Sequence, residues 1–438
     1  MSDSKRMAIL AGGGPAPGIN SVIGAATINA ALEGYEVLGL EDGFEWISKG
    51  DLDHVKPLTI SSVSRIHFRG GSHIGVSRAN PAKSPHDLDV TLDSLLRLRV
   101  QCLITIGGDD TLYSAQRLHE QARGRLRIVH VPKSIDNDLD LPPYVDTFGF
   151  QTARHVGSEI VKNLMVDAKT TSRWYFVIAM GRKAGHLALG IGKATGATLT
   201  LIPEEFSDRP IRLGTLVDTL VGAIVKRLAD GRRDGVAVIA EGVVLDIDPG
   251  DIAQVAEAER DAHGHVRIAE VYIGRILKLA VRERLRLLGI DTTIVEKNIG
   301  YELRCADPIP HDMEYARDLG YCAAKALLID FSGIMVSMQA GHFVPVPFSS
   351  LLNTESGRPR VRMVDVRSTR YAIARRYMIR LRRDDFVDAA TLARLAKVAS
   401  LSVEDFRRSF EYLTEDEPQP LDLRNEAITD RESIPGVP

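Results

Sequence analysis

The stretch CLITIGGDDT (Cys102–Thr111) opens on a short apolar run and closes on paired glycines and paired acids. An apolar run of this length bounded by glycine reads as a buried parallel strand, with the turn beyond it free of side-chain bulk. RIVHVPKSIDND (Arg127–Asp138) repeats the pattern, with Asp136 and Asp138 in the polar part. Working outward, MAIL (Met7–Leu10) precedes GGGPAPGIN (Gly12–Asn20), and Gly18–Leu32 reads as a helix. Towards the carboxyl terminus come WYFVIA (Trp174–Ala179), TLTLI (Thr198–Ile202) and VAVIA (Val236–Ala240). Strands alternating with helical patterns are the signature of βαβ units, so the expected class is α/β with parallel sheets.

Composition narrows the field. Of the 438 residues 44% are apolar, enough for a sizeable core, and the net charge of −3 points to neither a nucleic-acid nor a membrane surface. An anionic ligand would need local arginine and lysine clusters. Cys102, Cys305 and Cys322 are too scattered for a disulfide framework or a zinc site, and their apolar neighbours suggest core thiols in a reducing compartment. The MSDSKR start lacks the apolar core of a signal peptide, and no apolar run approaches the ~18 residues of a membrane span. The default is a cytoplasmic protein.

Almost every Gly, Asp and Arg cluster follows a strand, the place where open parallel sheets bind ligands. GGGPAPGIN serves either as a tight turn or as an anion-binding loop before a helix amino terminus, and it is neither a P-loop nor a dinucleotide fingerprint. GIGKATG (Gly190–Gly196) lies inside a helical pattern and reads as helix packing. GGDDT can place a carboxylate on Mg²⁺, a hard ion that takes oxygen ligands. PKSIDND alone could be an Asx-rich loop. Beside GGDDT it suggests metal-assisted phosphoryl transfer, with a base for the acceptor hydroxyl. MGRKAGHLA (Met180–Ala188), Arg173 at the far end of the same strand, Glu241 in AEGV, and GYELRCADP (Gly300–Pro308) complete the set. Arginines near strand ends in an acidic chain read as phosphate clamps.

In order, GGGPAPGIN, GGSHIGVSR (Gly70–Arg78), GGDDT, PKSIDND, MGR, AEG and GYELRCADPIPHD resemble the phosphofructokinase family over roughly residues 7–330. GGD also occurs in NAD and lipid kinases, but those have no use for PKSIDND, MGR and GYELR together. The resemblance implies two Rossmann-like parallel-sheet domains with the active site in the cleft between them, phosphorylating carbon 1 of fructose 6-phosphate with Mg²⁺. Asp109 is similar to the family's metal-site aspartate and Asp138 to a second one, while Asp136 resembles the general base. Arg182 is similar to the arginine that stabilises the transferring phosphoryl group. Gly14 and Arg78 resemble donor-phosphate contacts, and Ser134 and Ile135 lie in the stretch that holds the sugar and donor phosphate. Met180, Gly181, Glu241, Tyr301 and Arg304 resemble sugar-phosphate contacts. Arg173 is similar to an arginine lent across a subunit interface, which implies a homodimer or homotetramer.

Departures from the family pattern carry information. Pro15 stands where many ATP-using members have aspartate, and Gly24 where bacterial ATP users carry an effector-binding arginine. Lys297 is the nearest candidate for a further basic contact to the 6-phosphate. Asp110 replaces the glycine of GGDG, and Lys133 stands where many ATP users have glycine. This pair is similar to the pattern of pyrophosphate-dependent members, so the implied donor is pyrophosphate, with an ATP-dependent enzyme as the alternative. A non-catalytic sugar-phosphate sensor would be expected to have lost Asp109, Asp136 or Arg182, and all three are present. The expected layout is residues 1–166 for the donor and metal site and 167–330 for the sugar phosphate. An extension over 331–413 and a loosely packed tail over 414–438 follow.

Overall fold

The computed structural model describes residues 5–142, 145–207, 209–251, 273–353 and 357–422. In chain order its strands begin with β1 (Arg6–Ala11), β2 (Glu36–Leu40), β3 (Val55–Leu58), β4 (Val100–Gly107), β5 (Arg127–Ser134) and β6 (Phe148–Gly149). There follow β7 (Trp174–Ala179), β8 (Leu199–Leu201), β9 (Gly235–Ala240), β10 (Ile294–Ile299) and β11 (Ile334–Met335). The helices used below are α1 (Ile19–Leu32), α2 (Ile60–Val63), α3 (Pro85–Arg97), α4 (Asp109–Ala122), α5 (Phe150–Thr171) and α6 (His186–Thr195). Every strand expected from the sequence is present.

The chain divides into two compact units, Met1–Glu159 with Ile299–Met363, and Ile160–Asn298 with Val364–Pro438. The first holds a sheet in the order β11-β5-β4-β1-β2-β3, extended beyond β11 by Val346–Pro347. Its central pairs are parallel, while β3 and Val346–Pro347 are antiparallel edges. Side chains alternate across β1. Met7, Ile9 and Ala11 join the core beneath α1 and the helix Pro310–Leu328, while Ala8 and Leu10 face α3 and α4. Gly320 lets that long helix come close, since a Cβ there would meet the Val22 carbonyl oxygen at 2.5 Å. Gly24 is less confined, its Cβ position 3.3 Å from the Val63 oxygen of α2, a tight contact that a small shift would relieve.

The second unit's sheet runs β10-β7-β9-β8, with β7–β9 and β8–β9 parallel. Gly192, in the GIGKATG segment, sits in α6 where a Cβ would meet Thr200 Oγ1 at 2.0 Å, so this motif packs a helix on a strand. No helix among the described residues is long and apolar enough to cross a membrane.

Four expectations need correction. Residues 299–330 belong with the first unit and not the second, because Pro310–Leu328 buries Ala316, Leu319 and Ala323 against α1. The stretch 331–413 is not one extension either, since β11 pairs with β5 and the chain from Val364 onwards belongs to the second unit. The first residues of the stretch expected as a loosely packed tail are packed. Thr414 is buried and Glu417 accepts the Arg383 N–H at 2.7 Å, whereas residues 423–438 lie outside the described residues. Cys102 is buried and Cys322 half-buried, but Cys305 is exposed and is no core thiol.

Candidate active site

In the first sheet the chain leaves β1 for β2 on one side, whereas β4 lies on the other. The loops after β1 and β4 therefore flank a switch in strand order. Gly12 N–H donates to Ile106 O at 2.8 Å and Gly13 N–H to Ser77 O at 2.7 Å. These bonds set the Gly12–Asn20 loop between GGDDT and the segment that ends at exposed Arg78. Gly13 has φ 80°, a left-handed conformation that glycine adopts without strain.

Lys133, at the end of β5, is only 5% exposed, and its ammonium donates to Gly14 O. Arg304 comes to the same place, since a Cβ on Gly14 would meet its Nη1 at 3.1 Å. The guanidinium lies over the Tyr301 ring, 4.6 Å from the centroid, a cation–π contact that helps hold the planar cation. Burial pushes the Lys133 ammonium down to about 8; Asp136, Asp138 and Asp109 oppose that shift and Arg304 adds to it. These five charged groups therefore share one neighbourhood.

The Asp-rich turn has its own scaffold. Ser134 Oγ donates to Asp138 Oδ1 at 2.6 Å and accepts the Asp136 N–H at 3.1 Å. Between the two aspartates Asn137 takes φ 55°, a conformation that asparagine tolerates better than most residues. Ile135 is buried. Asp109 and Asp110 open α4, whose amino-terminal dipole favours carboxylates, and Asp109 Oδ1 accepts the Asp110 N–H at 2.9 Å. No group of three or more His, Cys, Asp or Glu side chains able to hold a metal is found among the described residues. Two carboxylates near a glycine-rich loop still suit Mg²⁺, which commonly takes one or two carboxylates and completes its shell with waters and phosphate oxygens.

In the second unit, Glu241 follows β9 and its N–H donates to Ala179 O at 2.9 Å. Its Oε2 accepts the Gly181 N–H at 3.1 Å, which ties Met180–Arg182 to AEG. Gly242 keeps this approach close: a Cβ there would meet Lys183 O at 3.1 Å and Arg182 O at 3.3 Å, so that backbone would have to give by a few tenths of an ångström. Gly185 N–H donates to Glu204 at 2.9 Å and fixes the far end of the same loop. Arg182 is exposed. Arg173 precedes β7 and lies near Asp167, at 3.9 Å. The six residues of β7 separate it from Met180 by about 20 Å. Lys297 is exposed on β10.

The arrangement offers a buried cation and glycine N–H groups for a polyanion, and carboxylates for a metal and a proton. A model of the family described as phosphofructokinase matches residues 6–327. The chain belongs to the phosphofructokinase family. It is 50% identical over 417 residues to the Thermotoga maritima pyrophosphate–fructose 6-phosphate 1-phosphotransferase, covering 94% of this chain and 99% of that protein. The protein of the same name from Naegleria fowleri is 45% identical over 418 residues, with 93% and 96% covered. The crystal structure of the pyrophosphate-dependent phosphofructokinase from Marinobacter aquaeolei shares the fold, with a TM-score of 0.63 at 15% identity over 91% of this chain and 92% of that one.

Within this family's fold, sequence reasoning missed two supporting residues. Asn20 Nδ2 donates to Arg69 O at 3.0 Å, and its Oδ1 accepts the His73 N–H at 2.7 Å, so it anchors the loop that leads to Arg78. It sits in the quoted GGGPAPGIN motif, and an asparagine in the first turn of the helix that follows was the available signal. Arg362 lies in no motif, and only the structure brings it to the Asp-rich turn.

Proposed function

We propose that this chain transfers a phosphoryl group from pyrophosphate to the 1-hydroxyl of D-fructose 6-phosphate, reversibly, giving fructose 1,6-bisphosphate and phosphate. The sugar O1 bonds to phosphorus, the bridging P–O bond of pyrophosphate breaks, and the hydroxyl proton passes to Asp136. Gly14, Arg78 and Lys133 hold the donor, and Asp110 excludes a nucleotide. Ser134, Ile135, Arg173, Met180, Gly181, Glu241, Tyr301 and Arg304 hold the sugar phosphate, and Arg182 stabilises charge on the group in transfer. Asp109 and Asp138 would hold Mg²⁺, which neutralises phosphate charge when bound.

The observation that carries the donor assignment is Lys133, a buried ammonium on the Gly14 carbonyl among three carboxylates. A coupled assay with pyrophosphate or ATP at equal Mg²⁺ tests the reading; a preference for ATP would overturn it. The setting of Lys133 adds a pH signature. Its depressed pKa means that the charge is present below about pH 8 and is lost above it. In the free enzyme, kcat/KM for pyrophosphate should therefore fall above about pH 8. Lys133→Arg keeps its charge there, so the decline should disappear in that variant if the lysine causes it.

The chain works as a homo-oligomer in the cytoplasm. Arg173, at the end of β7 opposite Met180–Arg182, serves a neighbouring subunit's sugar 6-phosphate. Arg173→Ala is expected to raise the KM for fructose 6-phosphate much more than it lowers kcat. Steady-state kinetics check this, and an unchanged KM would remove Arg173 from the sugar site.

A further inference from the structure

Arg362 lies beyond the residues matched by the family model, yet it is bonded to the turn that carries Asp136. Its Nε donates to Asn137 O at 3.1 Å, its Nη1 to Val145 O at 2.8 Å, and its Nη2 to Asn137 Oδ1. Its main-chain N–H donates to Asp138 O at 2.8 Å, and Val361 forms a bridge with Leu139. The acids facing the guanidinium are Asp146, Asp140 and Asp138.

Asn137 is the residue this grip controls. It is 6% exposed, holds φ 55°, and separates Asp136 from Asp138. Its Oδ1 also accepts the Thr147 N–H at 3.0 Å, and its Nδ2 donates to Asp146 at 2.7 Å. A left-handed turn between two carboxylates combines backbone strain with like-charge repulsion, and it persists only where its surroundings over-determine it. A planar guanidinium can bridge a main-chain carbonyl, a side-chain carbonyl and the Val145 carbonyl at once. An ammonium cannot span that geometry.

We propose that Arg362 is the positioning residue that fixes the Asp136–Asn137–Asp138 turn, and through it the direction of the Asp136 carboxylate. The inference rests on the reading of Asp136 as the base. A small misplacement of a base costs turnover more than binding.

The test compares kcat, KM and thermal melting for wild type, Arg362→Lys, Arg362→Met, Arg360→Ala and Asp136→Asn. Arg360 is the control, an exposed neighbour whose Nε bonds Asp140 at 2.6 Å outside the turn. Arg362→Lys and Arg362→Met should lower kcat by about 10–100-fold. The KM for fructose 6-phosphate should stay within about threefold, since a position fixed only for chemistry leaves ground-state binding intact. Arg360→Ala should keep wild-type kcat. Asn137→Gly removes the acceptor side chain, so its effect and that of Arg362→Lys should be less than additive in the double variant. Full kcat in a folded Arg362→Lys would overturn the proposal, as would a fall explained by lost folded protein or additive effects with Asn137→Gly. A collapse of Asp136→Asn alongside an active Arg362→Lys would reject the positioning role alone. An active Asp136→Asn would reject the base assignment and this inference together.

Discussion

Asp136→Asn is expected to lower turnover by about 10²–10⁴-fold while leaving the KM for fructose 6-phosphate nearly unchanged. The amide matches the carboxylate in shape, so the Asp-rich turn keeps its geometry. Ser134 Oγ still accepts the residue 136 N–H, and Asn137 keeps its left-handed conformation. What is lost is the group that takes the proton as the sugar O1 bonds to phosphorus. The contacts proposed for Arg304, Tyr301 and Glu241 do not involve that proton, so binding should persist. Asp136→Ala should behave alike in turnover, with a small added effect of the vacated volume. Single-turnover kinetics with saturating sugar phosphate separate the chemical step from binding. Turnover within threefold of wild type would rule out the base role.

The parts of this fold that were legible in the sequence are those fixed by short-range rules. Five-residue, mostly apolar runs such as CLITI and RIVHV became the buried strands β4 and β5, whose side chains enter the core on both faces of the sheet and are therefore largely apolar. The glycine and aspartate clusters beyond them became loops at a switch in strand order, as ligand-binding turns of parallel sheets require. The parts that were not legible depend on long-range packing. The polar strand β10, IVEKNI, has no apolar run to betray it. The helix Pro310–Leu328 returns to the first unit because its small residues fit α1, and a periodic apolar face names no partner. Arg362 belongs to the same class. Its sequence context, VRMV, is indistinguishable from that of a solvated arginine, and only the paired stretch Leu139–Val361 brings it to Asn137. Cys305 misled for the converse reason. Leu303 two residues earlier is buried, but the side chain after Arg304 faces solvent at the end of a four-residue helix.

Donor choice should be written mainly in Asp110 and Lys133. Asp110 is exposed at the start of α4, and its N–H is held by Asp109, so the carboxylate has a fixed root beside the proposed Mg²⁺ ligand. A nucleotide's α-phosphate placed at ~4 Å from that carboxylate would meet a repulsion of roughly 4 kcal/mol at a near-surface dielectric, and its ribose would need the same space. Pyrophosphate brings neither group. Asp110→Gly should therefore raise ATP use from a very low level and lower pyrophosphate use less, since Lys133 and Arg78 still hold the smaller donor. Lys133→Gly should act on pyrophosphate directly. Its ammonium is buried against Gly14 O among carboxylates, and a charge-assisted contact there is worth roughly 1.5–3 kcal/mol, or about 10–100-fold in kcat/KM. Removing it also leaves Asp136, Asp138 and Asp109 with less counter-charge, Arg304 alone remaining of the two cations, which adds repulsion against an anionic donor. Since both changes fall in one electrostatic neighbourhood, the double variant should not show the product of the single effects. The measurement is kcat/KM for pyrophosphate and for ATP in wild type, both single variants and the double variant. If Asp110→Gly leaves ATP use untouched, charge and space at position 110 do not set the donor. If Lys133→Gly keeps full pyrophosphate use, the buried ammonium serves the Gly14 loop and not the donor.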